Sequence, residues 1–419
     1  MGLFYLLVAS MPLERSPLLE HFFGSISVIK YLGFTCLVLA LILPRRKKPW
    51  AGLRQPASVY FIALACWSLL SEAFVGSPSP WSHSPGASYL SFLALLPTVL
   101  ILVTTERRLR ATLWAMAGGM GLAALYVLRE WQNHLGTAHF RPGWIAGDPN
   151  YFTIGAVLVL PLIWNLRREN RHPALRWLLT AGMLLLIVAT WLAASRGGLL
   201  GLIAGALWLV WRAQRAQPAS RRRGLTFGNL QVWKYAPAGL LILPLLLALP
   251  NSPLQRLLHP SRSDRMAVMK REVVWRAGLR MVIAHPLWGV GLGNFKNQVA
   301  AYEKAPHKDA WRSNGSVRSL AHNTYLEIAA ELGLPGLLAW GLLWLATWRS
   351  LERSRKQAPS GSLVRITAEA LEAGLLGYAV SMFFLSAEYQ KLLWLALFLA
   401  LALPPLAARE AERTRLQPA

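Results

Sequence analysis

Long apolar runs recur along this chain, each closed by a cluster of arginine and lysine or by proline and glycine. That pattern constrains the fold more than any other feature. A helix needs about 20 apolar residues to cross about 30 Å of hydrocarbon. Twelve runs approach that length: Gly2 to Leu13, Phe22 to Leu43, Ser58 to Val75, Tyr89 to Thr104, Ala111 to Leu128, Tyr151 to Leu166, Trp177 to Ser195, Gly198 to Trp211, Tyr235 to Leu249, Thr324 to Trp348, Ile366 to Leu385 and Leu392 to Ala407. With 54% hydrophobic and 15% charged residues, the chain reads as an all-α polytopic membrane protein of about 12 transmembrane helices. The amino terminus has no basic n-region, so the first, short run is expected to be retained as a span.

The 44 Lys and Arg residues against 19 Asp and Glu give a net charge of +25, which on a soluble protein would point to nucleic acid. Here the basic residues are divided among every second connection. Arg45 to Lys48 follow the second run, Arg107, Arg108 and Arg110 the fourth, and Arg167, Arg168, Arg171 and Arg176 the sixth. Arg212, Arg215 and Arg221 to Arg223 follow the eighth, Arg349, Arg353, Arg355 and Lys356 the tenth, and Arg409, Arg413 and Arg415 the last. Positive connections mark the cytoplasmic side, which puts both termini inside. The same division leaves no single basic patch for nucleic acid. Trp50, Trp131, Trp144, Trp211, Trp233, Trp311 and Trp348 often fall at run ends, as an interfacial belt would. Cys36 and Cys66 lie inside apolar runs, so no disulfide framework or cysteine metal site is expected.

Three regions follow: helices 1–9 over residues 1–249, a long outer loop over 250–322, and helices 10–12 with a cytoplasmic tail over 323–419. Within the loop, Asp264 to His285 reads as an amphipathic helix able to lie on the membrane surface. Met266, Met269, Val273, Val274, Ala277 and Met281 recur mostly every 3 to 4 residues.

Three charged or titratable positions are not explained by topology. Arg196, in SRGG, sits where the seventh run ends and the eighth begins, on the outer side. An arginine there either snorkels to the interface or pairs with an anion, for which its planar fork suits phosphate. Gly197 beside it permits close backbone approach. Arg271, in KREVVW, lies on the amphipathic helix, where it meets either lipid headgroups or a substrate anion; Arg276 and Arg280 are its competitors. His322, in AHNTY, opens the tenth run, and a neutral imidazole there can accept a hydroxyl proton near neutral pH. Asn323 adds a hydrogen-bonding group, while Gly333 and Gly336 flank Pro335 and allow a bend or close packing. Two cations and one base on one membrane face suit a lipid-linked pyrophosphate donor and an acceptor hydroxyl.

Other chemistries fit less well. There is no DxD pair, the outer aspartates being Asp148, Asp264 and Asp309, and His134 and His139 lack metal-ligand spacing, so no metal site is expected. The string Gly289, Gly291, Gly293 fails as a dinucleotide loop because Asn294 takes the place of its third glycine; a flexible turn suffices. Glu369 and Glu372, near the start of the eleventh run, are the best support for a carrier, although they lie close to the inner interface.

The run from His322 to Gly336, reading H, N, nine residues, G, two residues, G, resembles the signature of the O-antigen ligase and polymerase superfamily. SRGG at Ser195 to Gly198, REVVW followed by HPLWGVGLGNF, and GDPNY at Gly147 to Tyr151 are similar to family sequences too. The resemblance implies a GT-C-like, metal-independent inverting glycosyltransferase of the bacterial inner membrane that needs no cofactor. It would move a glycan from undecaprenyl pyrophosphate to a lipid A-core hydroxyl at the periplasmic face. It further implies His322 as general base and Arg196 and Arg271 as pyrophosphate ligands. The alternatives are a polysaccharide polymerase or protein O-oligosaccharyltransferase of the same superfamily, and, from another class, a bicarbonate or other small-anion transporter. A non-catalytic glycolipid-binding scaffold is the third reading.

Overall fold

A computed structural model of the chain describes residues 1–13, 28–42, 49–76, 84–135, 137, 140–146, 148–215, 262–303 and 319–416. The described residues form helices and connecting turns, with no strand among them. The helices are α1 (Gly2–Ser10), α2 (Val28–Ile42), α3 (Pro56–Val75), α4 (Pro85–Leu102), α5 (Glu106–Asn133), α6 (Pro149–Glu169), α7 (Pro173–Leu192), α8 (Arg196–Arg215), α9 (Arg262–Ala284), α10 (Phe295–Tyr302), α11 (Thr324–Gln357), α12 (Leu363–Met382) and α13 (Lys391–Leu416). Eight of them, α3 to α8, α11 and α13, are long and apolar enough to cross a membrane. The protein is an all-α, multi-pass membrane protein. The predicted run Tyr235 to Leu249, the basic clusters Arg45 to Lys48 and Arg221 to Arg223, and Trp233, Trp311, Asp309, His139 and Gly147 lie outside the described residues.

Local sequence sets the helix starts. Proline occupies the first helical position of α3, α4, α6 and α7, where its missing N–H costs nothing. Side-chain oxygens cap the free N–H groups elsewhere: Thr105 Oγ1 accepts from Arg108 N, and Ser362 Oγ accepts from Arg365 N, both at 3.3 Å. The cap at Thr105 explains why α5 begins ahead of the apolar run at Ala111.

Between apolar helices in lipid, close packing replaces the hydrophobic drive. At the most intimate crossing, α8 meets α12 glycine to glycine, with Gly201 and Gly377 so near that a Cβ on either would lie 2.5 Å from the other's carbonyl oxygen. On the other side of the bundle α11 packs on α3 and α13. Trp394 is the hub there, with Phe61 at 4.9 Å, Phe92 at 5.0 Å and Trp340 at 5.8 Å between ring centroids.

Ion pairs tie the basic ends together. Arg110 of α5 pairs with Glu169 of α6. Arg413 of α13 reaches Glu106 of α5 at 3.3 Å. Arg212 of α8 and Arg355 of α11 converge on the buried Glu372 of α12 at 3.0 and 3.4 Å. The carboxyl ends of α6, α8, α11 and α13 therefore share one end of the bundle, and the amino ends of α8 and α11 project to the other. Glu372 is thus a neutralised structural carboxylate, and Glu369 pairs with Arg365 on its own helix at 3.4 Å.

Candidate active site

The amino ends of α8 and α11 are held by an unusual backbone. Among the described non-glycine residues only Ala194 and His322 have positive φ, 51° and 48°. That region is uncommon for residues with a Cβ and persists where the surroundings fix it. Ala194 falls two residues before Arg196, so both left-handed turns occur where the sequence places functional side chains.

The turn into α8 is braced from three sides. Arg141 Nε donates to Ala193 O, and its Nη2 to Asn150 Oδ1, each at 3.0 Å. Ser195 Oγ accepts from Gly198 N at 3.2 Å. Ser381 Oγ, at the end of α12, donates to Gly197 O at 3.1 Å. Gly197 packs closely on Phe384, whose Cβ would stand 3.1 Å from a Cβ added there. Arg196 is consequently fixed as the first residue of α8, half-buried.

The turn into α11 is braced just as closely. Asn323 is the cap: its Oδ1 accepts from Tyr325 N and Leu326 N, each at 3.1 Å, which makes it structural in this arrangement. Thr324 donates through N and Oγ1 to Leu385 O at 3.1 and 2.7 Å. Ser386 Oγ donates to Glu327 one turn on, while Ser386 O accepts from Tyr151 OH of α6 at 2.9 Å. On the other flank Trp275 Nε1 of α9 donates to Ala321 O at 2.8 Å.

The amphipathic reading of Asp264 to His285 corresponds to α9. Its Val274, Ala277 and Met281 are buried with Phe295, Val299, Ala321 and Ala330. Arg271, Lys270, Val274, Ser319, Leu320 and His322 line one cavity of about 100 Å³. The three arginines of α9 that the sequence offered as anion ligands separate cleanly. Arg276 pairs with Glu272 at 2.5 Å, Arg280 Nη1 donates to Tyr302 O at 2.9 Å, and Arg271 alone among them lines the His322 cavity. Arg196 is not part of that lining. It stands at the same end of the bundle, connected through Gly197 to Phe384, then Phe383, whose ring meets Trp275 edge-on at 5.6 Å.

Gly333 and the glycine string answer each other. Gly333 breaks α11 at φ 68° and ψ −173°, freeing carbonyls that a straight helix would use internally. Val290 N donates to Ala330 O at 2.8 Å, Gly291 N to Glu331 O at 3.1 Å, and Trp67 Nε1 to Leu332 O at 2.8 Å. The Glu331 carboxylate accepts from Gly293 N and Phe295 N at 2.7 and 3.0 Å, capping α10. The turn after α9 is thus docked into the kink of α11, tighter than the flexible return the sequence suggested. Gly336 lies in the same turn of α11, packed on Leu332.

Electrostatics act on His322 from two helices. Burial first, then the Arg271 guanidinium, hold the imidazole below its ordinary proton affinity; Asp148 works against them, and Lys270 with them. Asp148 also caps α6, its Oδ1 accepting from Asn150 N at 2.6 Å. Sequence reasoning passed over Lys270 and treated Asp148 only as a sparse outer acid; the Asp-Pro step that starts a helix was the available signal for its place. An imidazole kept neutral beside a guanidinium can take a proton from a hydroxyl while the cation steadies an anion. Among the described residues, no three His, Cys, Asp or Glu side chains cluster as metal ligands would.

Residues 181–341, which span Arg196, Arg271 and His322, match the family model described as O-Antigen ligase. The chain is also similar to the O-antigen ligase of Pseudomonas aeruginosa, 24% identical over 344 residues that cover 78% of this chain and 72% of that protein. Both likenesses are to O-antigen ligases, and they accord with the membrane-spanning fold.

Proposed function

We propose that this protein is an O-antigen ligase: it transfers a glycan from undecaprenyl pyrophosphate to a lipid A-core hydroxyl at the periplasmic face of the inner membrane. The observation that carries the reading is the cavity in which His322, held at positive φ, faces Arg271. The positive-inside rule makes the ion-paired, arginine-rich end cytoplasmic, which turns this cavity toward the periplasm. In the reaction the acceptor oxygen attacks the anomeric carbon as His322 takes the hydroxyl proton. The bond from that carbon to the pyrophosphate oxygen breaks in the same displacement, with inversion, and Arg271 and Arg196 hold the departing anion. No step needs a metal, so chelation should leave the rate unchanged.

The test is transfer by purified protein given the lipid-linked glycan and lipid A core. His322→Ala is expected to lower turnover by about 10² to 10⁴, the usual worth of a general base, with donor binding largely intact; unchanged turnover removes the base assignment. Arg196→Ala should weaken donor affinity as well as rate, and equal affinity contradicts its phosphate role. Supplying a second glycan repeat as acceptor separates ligase from polymerase. Donor binding by the wild type without transfer to any acceptor would instead indicate a scaffold.

A further inference from the structure

The cavity around His322 holds a second cation that neither the motif nor its spacing singled out. Its lining carries two positive side chains, one imidazole and one hydroxyl, and no carboxylate. Arg271 is half-buried and Lys270, its neighbour on α9, is exposed, so they approach the cavity from its wall and its mouth. Two cations of different shape match a diphosphate: the planar fork of arginine engages one phosphate through paired N–H bonds, and the ammonium serves the other as a mobile point charge. Val274 and Leu320 supply apolar walls that strengthen the attraction.

We infer that Lys270 is the second anion-binding residue of this site, contacting the diphosphate of the donor beside Arg271. The inference rests on the proposed transfer reaction and adds a residue to it. It carries a consequence for the base. The charged groups acting on His322 are Arg271 and Lys270 from α9 and Asp148 from the cap of α6. A diphosphate seated on the two cations cancels their effect, so His322 gains proton affinity when the donor is bound. The site would then reserve its stronger base for the loaded enzyme.

The experiment uses the full-length protein in nanodiscs, with inorganic pyrophosphate and undecaprenyl pyrophosphate as calorimetric probes. Lys270→Gln is expected to weaken both about tenfold, and Lys270→Arg to stay within about twofold of wild type. Because Lys270 is exposed, both variants should melt with the wild type. In turnover, Lys270→Gln should move the acid limb of kcat/KM, which reports the free enzyme, to higher pH, and move that of kcat much less. Wild-type affinity in Lys270→Gln, or an acid limb that does not move, overturns the inference and leaves the transferase reading standing. Weakened pyrophosphate binding in Lys270→Gln, with no glycan transferred by the wild type, keeps the anion site and rejects the transferase.

Discussion

Replacing Gly333 by alanine tests how the kink of α11 holds the site. Its φ of 68° with ψ −173° belongs to a region that is essentially glycine-only, and an alanine there carries about 1–3 kcal/mol of backbone strain. Its Cβ would stand 2.6 Å from Leu287 C and 2.8 Å from Pro286 O, which are backbone atoms with no rotamer to swing aside. Relief requires the turn after α9 to withdraw, and that turn is fastened by Leu334 N to Pro286 O at 2.7 Å and by the bonds of Val290 and Gly291. Losing one or two of these adds about 1 kcal/mol each, so the expected destabilisation is about 2–5 kcal/mol. Gly341 in the same helix is the control: a Cβ there meets nothing within 4 Å, and Gly341→Ala should stabilise by up to about 1 kcal/mol. Unfolding in mixed detergent and SDS micelles measures both. Diphosphate affinity should fall in Gly333→Ala alone, because the withdrawn turn anchors one end of α9, the helix on which Arg271 lies about midway. Equal unfolding of the two variants would refute the reasoning.

The low proton affinity of His322 in the free protein keeps its working, neutral form present below pH 6.5; the pH profile of kcat/KM, which reports the free enzyme, should therefore show its acid limb centred under that value, and a midpoint above it contradicts the electrostatics. Asp148→Asn keeps the cap, since asparagine caps as well as aspartate, but removes the charge that favours imidazolium, so the limb should move lower still; a shift upward would exclude Asp148 as the counter-charge. Glu372→Gln leaves Arg212 and Arg355, only 18% and 16% exposed, without their carboxylate and should cost about 3 kcal/mol in the same unfolding assay. Turnover per folded molecule should stay at the wild-type level, and a selective loss of rate would revive a functional role for that carboxylate.

Helix identity was legible because burial in lipid leaves a one-dimensional signal: a run such as Ser58 to Val75 must be apolar all round, and it appears as α3, starting at Pro56. Boundaries were less legible where capping chemistry competes with hydropathy, as at Thr105, whose hydroxyl starts α5 before its charged first turn ends. Arg271 and His322 could be named because a charge or an imidazole at the edge of an apolar run demands a reason. Topology alone implies that they share one site, and it puts Arg196 there too; which residues line the cavity depends on α9 folding back over α11 through the contacts of Trp275, Val290 and Gly291. The glycine string reads as a flexible turn, yet its partner, the broken turn at Gly333, lies some forty residues away and leaves no local trace. Lys270 escaped because a basic residue on an amphipathic helix is ordinary until its neighbours are known.

The site draws on helix ends rather than helix middles, and this follows from the medium. A charged base or phosphate ligand at the centre of a span would pay heavily for desolvation, whereas the first turn of a helix offers exposed N–H groups and a positive dipole end that favours anions. Arg196 and His322 sit at two such ends, and the α6 end bearing Asp148 is tied to the same 385–387 segment through Tyr151 and Thr324. At the far end of the bundle Glu372 ties α8, α11 and α12 together and so contributes to the stability of the frame that carries those ends. The ion pairs at one end of the bundle and the left-handed turns at the other therefore do separate work: the first stabilise the helix assembly, and the second set where Arg196 and His322 stand.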